Sequence, residues 1–185
     1  METEKNLLRA IAGESMARNK YTFFASQARK DGFEQIAAIF EETAENEKEH
    51  AKRLMSQLKG DEKSELVGYD FPKVEDTKSN LVHAAAGEKF EWTDMYPSFE
   101  KTAREEGLND IADIFKELGE VEEKHEARYL KFVENIEKNQ VFKREASVKW
   151  QCRNCGYVHD GTEAPDSCPA CAHPQSFYEI LALNY

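Results

Sequence analysis

The chain has 185 residues, 33% of them charged, and a formal net charge of −11. Such an acidic surface excludes nucleic acid and anionic membrane as natural partners, and no apolar run reaches membrane-spanning length. The N-terminal METEKNLLRAIAGES lacks the apolar core of a secretion signal, so a cytoplasmic location is expected.

Four long helical patterns come first. Leu7, Ile11, Glu14, Arg18, Tyr21, Ala25 and Ala28 recur at steps of three or four, which is one face of a helix. The second pattern runs through Phe33, Ile36, Phe40, Glu47, His50, Leu54 and Leu58. Gly32 between them predicts a tight turn and antiparallel neighbours. A polar stretch over 60–80, with Gly60, Gly68 and Pro72, reads as a long crossover. The third pattern holds Leu81, Ala84, Glu88, Glu91, Met95, Phe99 and Ala103. After Gly107 the fourth holds Ile111, Phe115, Leu118, Glu122, His125, Tyr129 and Ile136. Two hairpins joined by one crossover describe a ferritin-like four-helix bundle.

The two halves repeat. Phe24, Gly32, Phe40, Glu47, His50 and Arg53 return 75 residues later as Phe99, Gly107, Phe115, Glu122, His125 and Arg128. Earlier the offset is 74, since Gly13-Glu14 matches Gly87-Glu88. One residue has therefore been inserted between Glu88 and Phe99. An insertion that leaves a helix running takes the form of a π-bulge, here expected near Glu91–Tyr96.

Residues three apart on a helix face the same way. Glu47 with His50, and Glu122 with His125, therefore make two inward claws on apolar stripes. Glu14 and Glu88 stand on the stripes of the other two helices. Burying ionised carboxylates without partners costs several kcal/mol each, on the order of what a whole domain retains as stability. Four in one core make sense if cations neutralise them. One Glu from each of two helices and Glu-x-x-His from each of the other two is a dimetal ligand set suited to iron or manganese. Glu91, whose counterpart is Ala17, is a fifth carboxylate and a rival of His50 for the first metal. Tyr21 and Tyr96, two turns past Glu14 and Glu88, are placed to hydrogen-bond ligating carboxylates. Arg18, Trp92 and His83 read as structural or surface residues.

KNQVFKREAS (138–147) reads as a polar linker. The expected division is a bundle over 1–138, a linker over 139–147 and a small domain over 148–185. In the last, Cys152-x-x-Cys155 and Cys168-x-x-Cys171 are separated by twelve residues. That is a tetrahedral four-thiolate signature, which spacing alone leaves open to zinc or to a single iron. Asn154, His159 and His173 are polar neighbours of the sulfurs.

GESMARNKY, ETAENEKEHAKR, AAGEKFEWTDMYPSF, EVEEKHEARY and the CRNCGY…CPACAHPQ pair, in this order and spacing, resemble the rubrerythrin family over essentially the whole chain. The resemblance implies a mainly α protein with a ferritin-like diiron bundle and a C-terminal rubredoxin-like Fe(Cys)4 domain. It implies two irons, oxo- or hydroxo-bridged when oxidised, and one iron on Cys152, Cys155, Cys168 and Cys171, with zinc or manganese as possible substitutes. Glu47 and Glu122 would bridge, Glu14 with His50 or Glu91 would serve one iron, and Glu88 with His125 the other. It further implies hydrogen peroxide as substrate, electrons from a redox protein linked to NAD(P)H, and a homodimer or higher oligomer. Glu91, His50, Tyr21 and Tyr96 are the residues expected to take part in the chemistry. Ferroxidase or iron storage, oxygenation of an organic substrate, and a structural zinc-ribbon module are the rival readings.

Overall fold

The computed structural model describes residues 1–60 and 72–183. The central part of the expected crossover, with Gly68, lies outside the described residues. Helices α1 (Glu2–Lys30) and α2 (Glu34–Met55) form the first hairpin. The second consists of α3 (Thr77–Phe90), a π-helical turn over Glu91–Met95, α4 (Tyr96–Glu105) and α5 (Asn109–Glu137). The π turn falls where the inserted residue predicts it. Each hairpin turns on a glycine in the left-handed region, Gly32 at φ +85° and Gly107 at φ +77°. Another residue there would be strained by roughly 1–2 kcal/mol. Among the described residues no helix is long and apolar enough to cross a membrane.

The internal repeat is visible in the packing. Phe24 meets Phe40 edge-on at 5.6 Å and 64°, and their counterparts Phe99 and Phe115 meet at 5.6 Å and 62°. Each pair sits in its own apolar cluster, one with Tyr21, Ile36, Leu81 and Tyr129, the other with Leu7, Leu54, Tyr96 and Leu118. The halves also cap one another. The Asp31 carboxylate, just before Gly32, accepts hydrogen bonds from Thr77 N (2.9 Å) and Thr77 Oγ1 (2.6 Å) at the start of α3. The Glu106 carboxylate, just before Gly107, accepts from Glu2 N (2.9 Å) and Thr3 N (3.1 Å) at the start of α1. Orphan N–H groups of each helix start are thus satisfied by the opposite half.

The C-terminal region is a three-stranded antiparallel sheet, ordered β2-β1-β3, from β1 (Lys143–Cys152), β2 (Val158–Glu163) and β3 (Tyr178–Ile180). Residues 143–147, read from sequence as linker, are instead the first half of β1, with a break in register before Val148. Sequence polarity misled there because these residues, Arg144 apart, stay exposed even within the strand. Buried Trp150 forms the core of this domain, its Nε1–H donating to Gly161 O at 3.0 Å. The sheet is docked on the hairpin turn of the bundle. Phe142 stacks on Phe33 at 6.1 Å and 6°, and Ser176 lies beside Gly32.

Candidate metal centres

The claws expected from sequence close on a common space. Ligand atoms of Glu14, Glu47, His50 and Glu122 lie within 4.8 Å of one another, and so do those of Glu47, Glu88, Glu122 and His125. Glu47 and Glu122 belong to both groups. The four carboxylates are at most 1% exposed, and the imidazoles of His50 and His125 stack at 6.1 Å.

Inside this belt polar atoms approach without hydrogen-bonding. His50 Nδ1 is 2.8 Å from Glu47 Oε2 and 3.2 Å from Glu122 Oε1, and His125 Nδ1 is 2.8 Å from Glu122 Oε2. Yet both Nδ1 atoms, both oxygens of Glu47 and of Glu122, and Glu14 Oε2 are buried with no hydrogen-bond partner. Buried polar atoms left like this cost ~1–3 kcal/mol each. Lone pairs that converge on a shared space, rather than on each other's protons, are what two cations would satisfy. The donor set, carboxylate oxygen with one imidazole per group, suits iron.

The electrostatics agree. Burial pushes the Glu14 carboxyl up to about 8, helped by the charges of Glu122 and Glu47. Burial, then Glu47 and Glu91, raises Glu88 well above the carboxylate range. For Glu47 burial is outweighed by the two imidazoles, which hold it at about 2. In His125 burial is outweighed by Glu122 and Glu47, which raise it to about 9, and His50 is raised in the same way by Glu122, Glu14 and Glu47. Without cations the belt must hold protons instead.

The tyrosines reach across the bundle. Tyr21 on α1 donates to Glu88 Oε1 on α3 at 2.5 Å, and Tyr96 on α4 donates to Glu14 on α1. Sequence spacing put each tyrosine two turns from the Glu of its own half, but the bond goes to the Glu of the other. Burial, then the neighbouring carboxylate, holds both hydroxyls well above their ordinary range, so they remain donors.

Glu91 begins the π turn and is half-buried, outside both groups of converging ligand atoms. Burial, then the carboxylates of Glu14, Glu122 and Glu47, raises its carboxyl well above the ordinary range. Trp92, read as structural, donates from Nε1 to Glu126 Oε2 on α5 at 2.6 Å. Sequence reasoning passed over Glu126. Arg18 turns outward to Glu45, and His83 is an exposed residue near Glu75. A cleft of about 430 Å³, lined by Asn46, Val121, Lys124, His125 and Arg128, opens beside the belt.

The four cysteines form the second centre. Cys152 Sγ lies 3.8 Å from Cys171 Sγ, and Cys155 Sγ lies 3.6 Å from Cys168 Sγ, all four thiols being free. Both knuckles close alike, with Gly156 N donating to Cys152 O and Ala172 N to Cys168 O, each at 2.8 Å. Gly156 and Ala172 both take positive φ. The backbone N–H of His173 and the Asn154 side chain draw the Cys171 thiol down to about 6. His159 lies instead on β2 opposite Trp150, its ring over Gly161.

Comparison with known proteins matches both parts. A family described as Rubrerythrin matches residues 5–133, and one described as Rubrerythrin, rubredoxin-like domain, matches residues 150–179. A rubrerythrin of Nitratidesulfovibrio vulgaris is 53% identical, covering 99% of this chain and 96% of that protein. A rubrerythrin of Porphyromonas gingivalis is 52% identical, covering 100% and 92%. A solved structure described as the fully reduced, all-ferrous state of nigerythrin is 35% identical, with a TM-score of 0.65, covering 97% of this chain and 86% of that one. With the acidic belt, the π turn and the thiolate knuckles all inside the matched segments, this chain belongs to the rubrerythrin family.

Proposed function

We propose that the chain is a non-haem diiron peroxidase that reduces hydrogen peroxide to water with electrons relayed through its own Fe(Cys)4 centre. The observation that carries this is the shared belt: two ligand groups joined through Glu47 and Glu122, in a chain that also gathers four thiolates. Glu47 and Glu122 would bridge the two irons. Glu14 and His50 would hold one, Glu88 and His125 the other. The all-ferrous state named for the nigerythrin structure supports iron in this belt. Bound iron would supply the two electrons that split the O–O bond.

The chain's own residues do the rest. Tyr96 and Tyr21 hold Glu14 and Glu88 by donating to them, which fixes how those carboxylates aim. Peroxide, small and neutral, enters by the cleft beside His125. Glu91, whose carboxyl is pushed well above its ordinary range by burial and by Glu14, Glu122 and Glu47, delivers a proton to the departing oxygen. Two protons and two electrons per peroxide yield two waters. Cys155, the exposed cysteine of the four, marks the edge at which a redox-protein donor linked to NAD(P)H approaches. A homodimer would let one chain's thiolate centre serve its partner's belt.

Ferroxidase or iron storage, the principal rival, predicts cages and mineral and leaves the cysteine domain idle. The test is anaerobic reduction followed by stoichiometric peroxide, with iron counted before and after. A red ferric thiolate spectrum that returns on reoxidation, and loss of turnover in Glu91→Ala with iron retained, are expected. A colourless thiolate centre, or full turnover in Glu91→Ala, would overturn the relay or the role of Glu91.

A further inference from the structure

The second half of the chain departs from the first at several points that meet in space. It carries the extra residue of the π turn, Glu91–Met95. It has Trp92 where the first half has Arg18, Gly119 in place of Ala44, and Glu126 in place of Ala51. In the structure these converge. The Trp92 indole donates to Glu126 at 2.6 Å, joining the π turn to α5. A Cβ on Gly119 would lie 3.4 Å from Tyr96 Cβ and 4.0 Å from Trp92 Cα, so α5 presses closely against both ends of the turn. Among the described residues Glu126 forms no ion pair; its side chain accepts from the indole.

A π turn gives up regular α-helical hydrogen bonding and persists only where the surroundings over-determine it. Relaxing it to α-helical register would rotate the residues at its mouth, Glu91 first, by about 100° per residue of slip. We propose that Trp92 and Glu126 are a latch that holds the π turn in place against α5, and that they are positioning residues for Glu91. This rests on the reading of Glu91 as the carboxylate that works beside the metals.

The test uses the full chain with Trp92→Phe, Glu126→Ala and Glu126→Gln, and with Glu91→Ala as reference. In metal-free protein, amide exchange of residues 90–96 should rise by about tenfold or more in Trp92→Phe and Glu126→Ala, the loss expected for one hydrogen bond to a charged group, while α1 and α2 stay protected. Glu126→Gln keeps an accepting oxygen, though a neutral one, and should exchange more slowly than Glu126→Ala, between it and the parent. In iron-loaded protein the diferric absorption of Trp92→Phe should move toward that of Glu91→Ala, with kcat falling and KM unchanged. Parental exchange in Trp92→Phe, or Glu126→Gln behaving like Glu126→Ala, would overturn the latch. If Glu91→Ala matched the parent in spectrum and turnover, the role of Glu91 would fall and with it the positioning claim, while the exchange result would still decide whether the bond holds the turn.

Discussion

Tyr21 and Tyr96 illustrate how much a single hydroxyl does in this core. Each donates to a carboxylate that converges on the shared space, Glu88 and Glu14 respectively, and Glu14 keeps its Oε2 buried there without a hydrogen-bond partner. Replacing either by Phe keeps the ring and removes the donor. Tyr96→Phe is expected to lower iron affinity by about 10- to 100-fold, measured by competition with a chelator, with the fold unchanged. The acids also predict a pH dependence. Glu14 binds its proton up to about 8 in the folded protein, far above its ordinary range, and burial raises Glu88 and Glu91 well above theirs too. Metal must displace those protons. Metal affinity should therefore rise as pH rises toward about 8, with proton release in calorimetry; a flat profile would remove the protonated belt.

At the scale of elements, the reciprocal caps and the glycine turns set the angle between the hairpins. Asp31 satisfies the start of α3 through both the Thr77 backbone and hydroxyl. Asp31→Ala is expected to cost about 1 kcal/mol, seen as a lower midpoint in urea with an unchanged slope. Gly32, at φ +85°, should lose roughly 1–2 kcal/mol on substitution by Ala from backbone strain alone, since its Cβ would meet only Ser176 at 3.8 Å. The π turn is the element read most directly from sequence, because a shift of repeat offset from 74 to 75 within a continuing helix marks one inserted residue, and a π turn takes it up while keeping the later stripe on the same face. The start of β1 was not legible. KREAS is polar, and only its pairing of Lys143 with Glu163 across to β2 makes it strand.

For the whole molecule, metals and protons compete to stabilise one acidic centre. In metal-free protein, Glu14 and His125 hold protons more tightly folded than unfolded, with values near 8 and 9. Their contribution is present at low pH and is lost as pH rises through those values. Glu47, held at about 2, contributes a constant amount above its unfolded range. Metal-free protein should therefore lose thermal stability between about pH 5 and 9, while metal-loaded protein changes less, so the gap in Tm widens with pH. A gap independent of pH would contradict this. The sequence by itself determined the bundle, the pairing of its halves, the acids and imidazoles on each stripe and the cysteine knuckles, because helical periodicity and short spacings are local properties of the chain. Only the tertiary structure decided that the tyrosines donate to the opposite half, that Asp31 and Glu106 cap one another's hairpins, and that Glu126 takes the Trp92 indole. Those bonds join residues 34 to 104 positions apart, and no local pattern records which of several polar groups will meet once the helices pack.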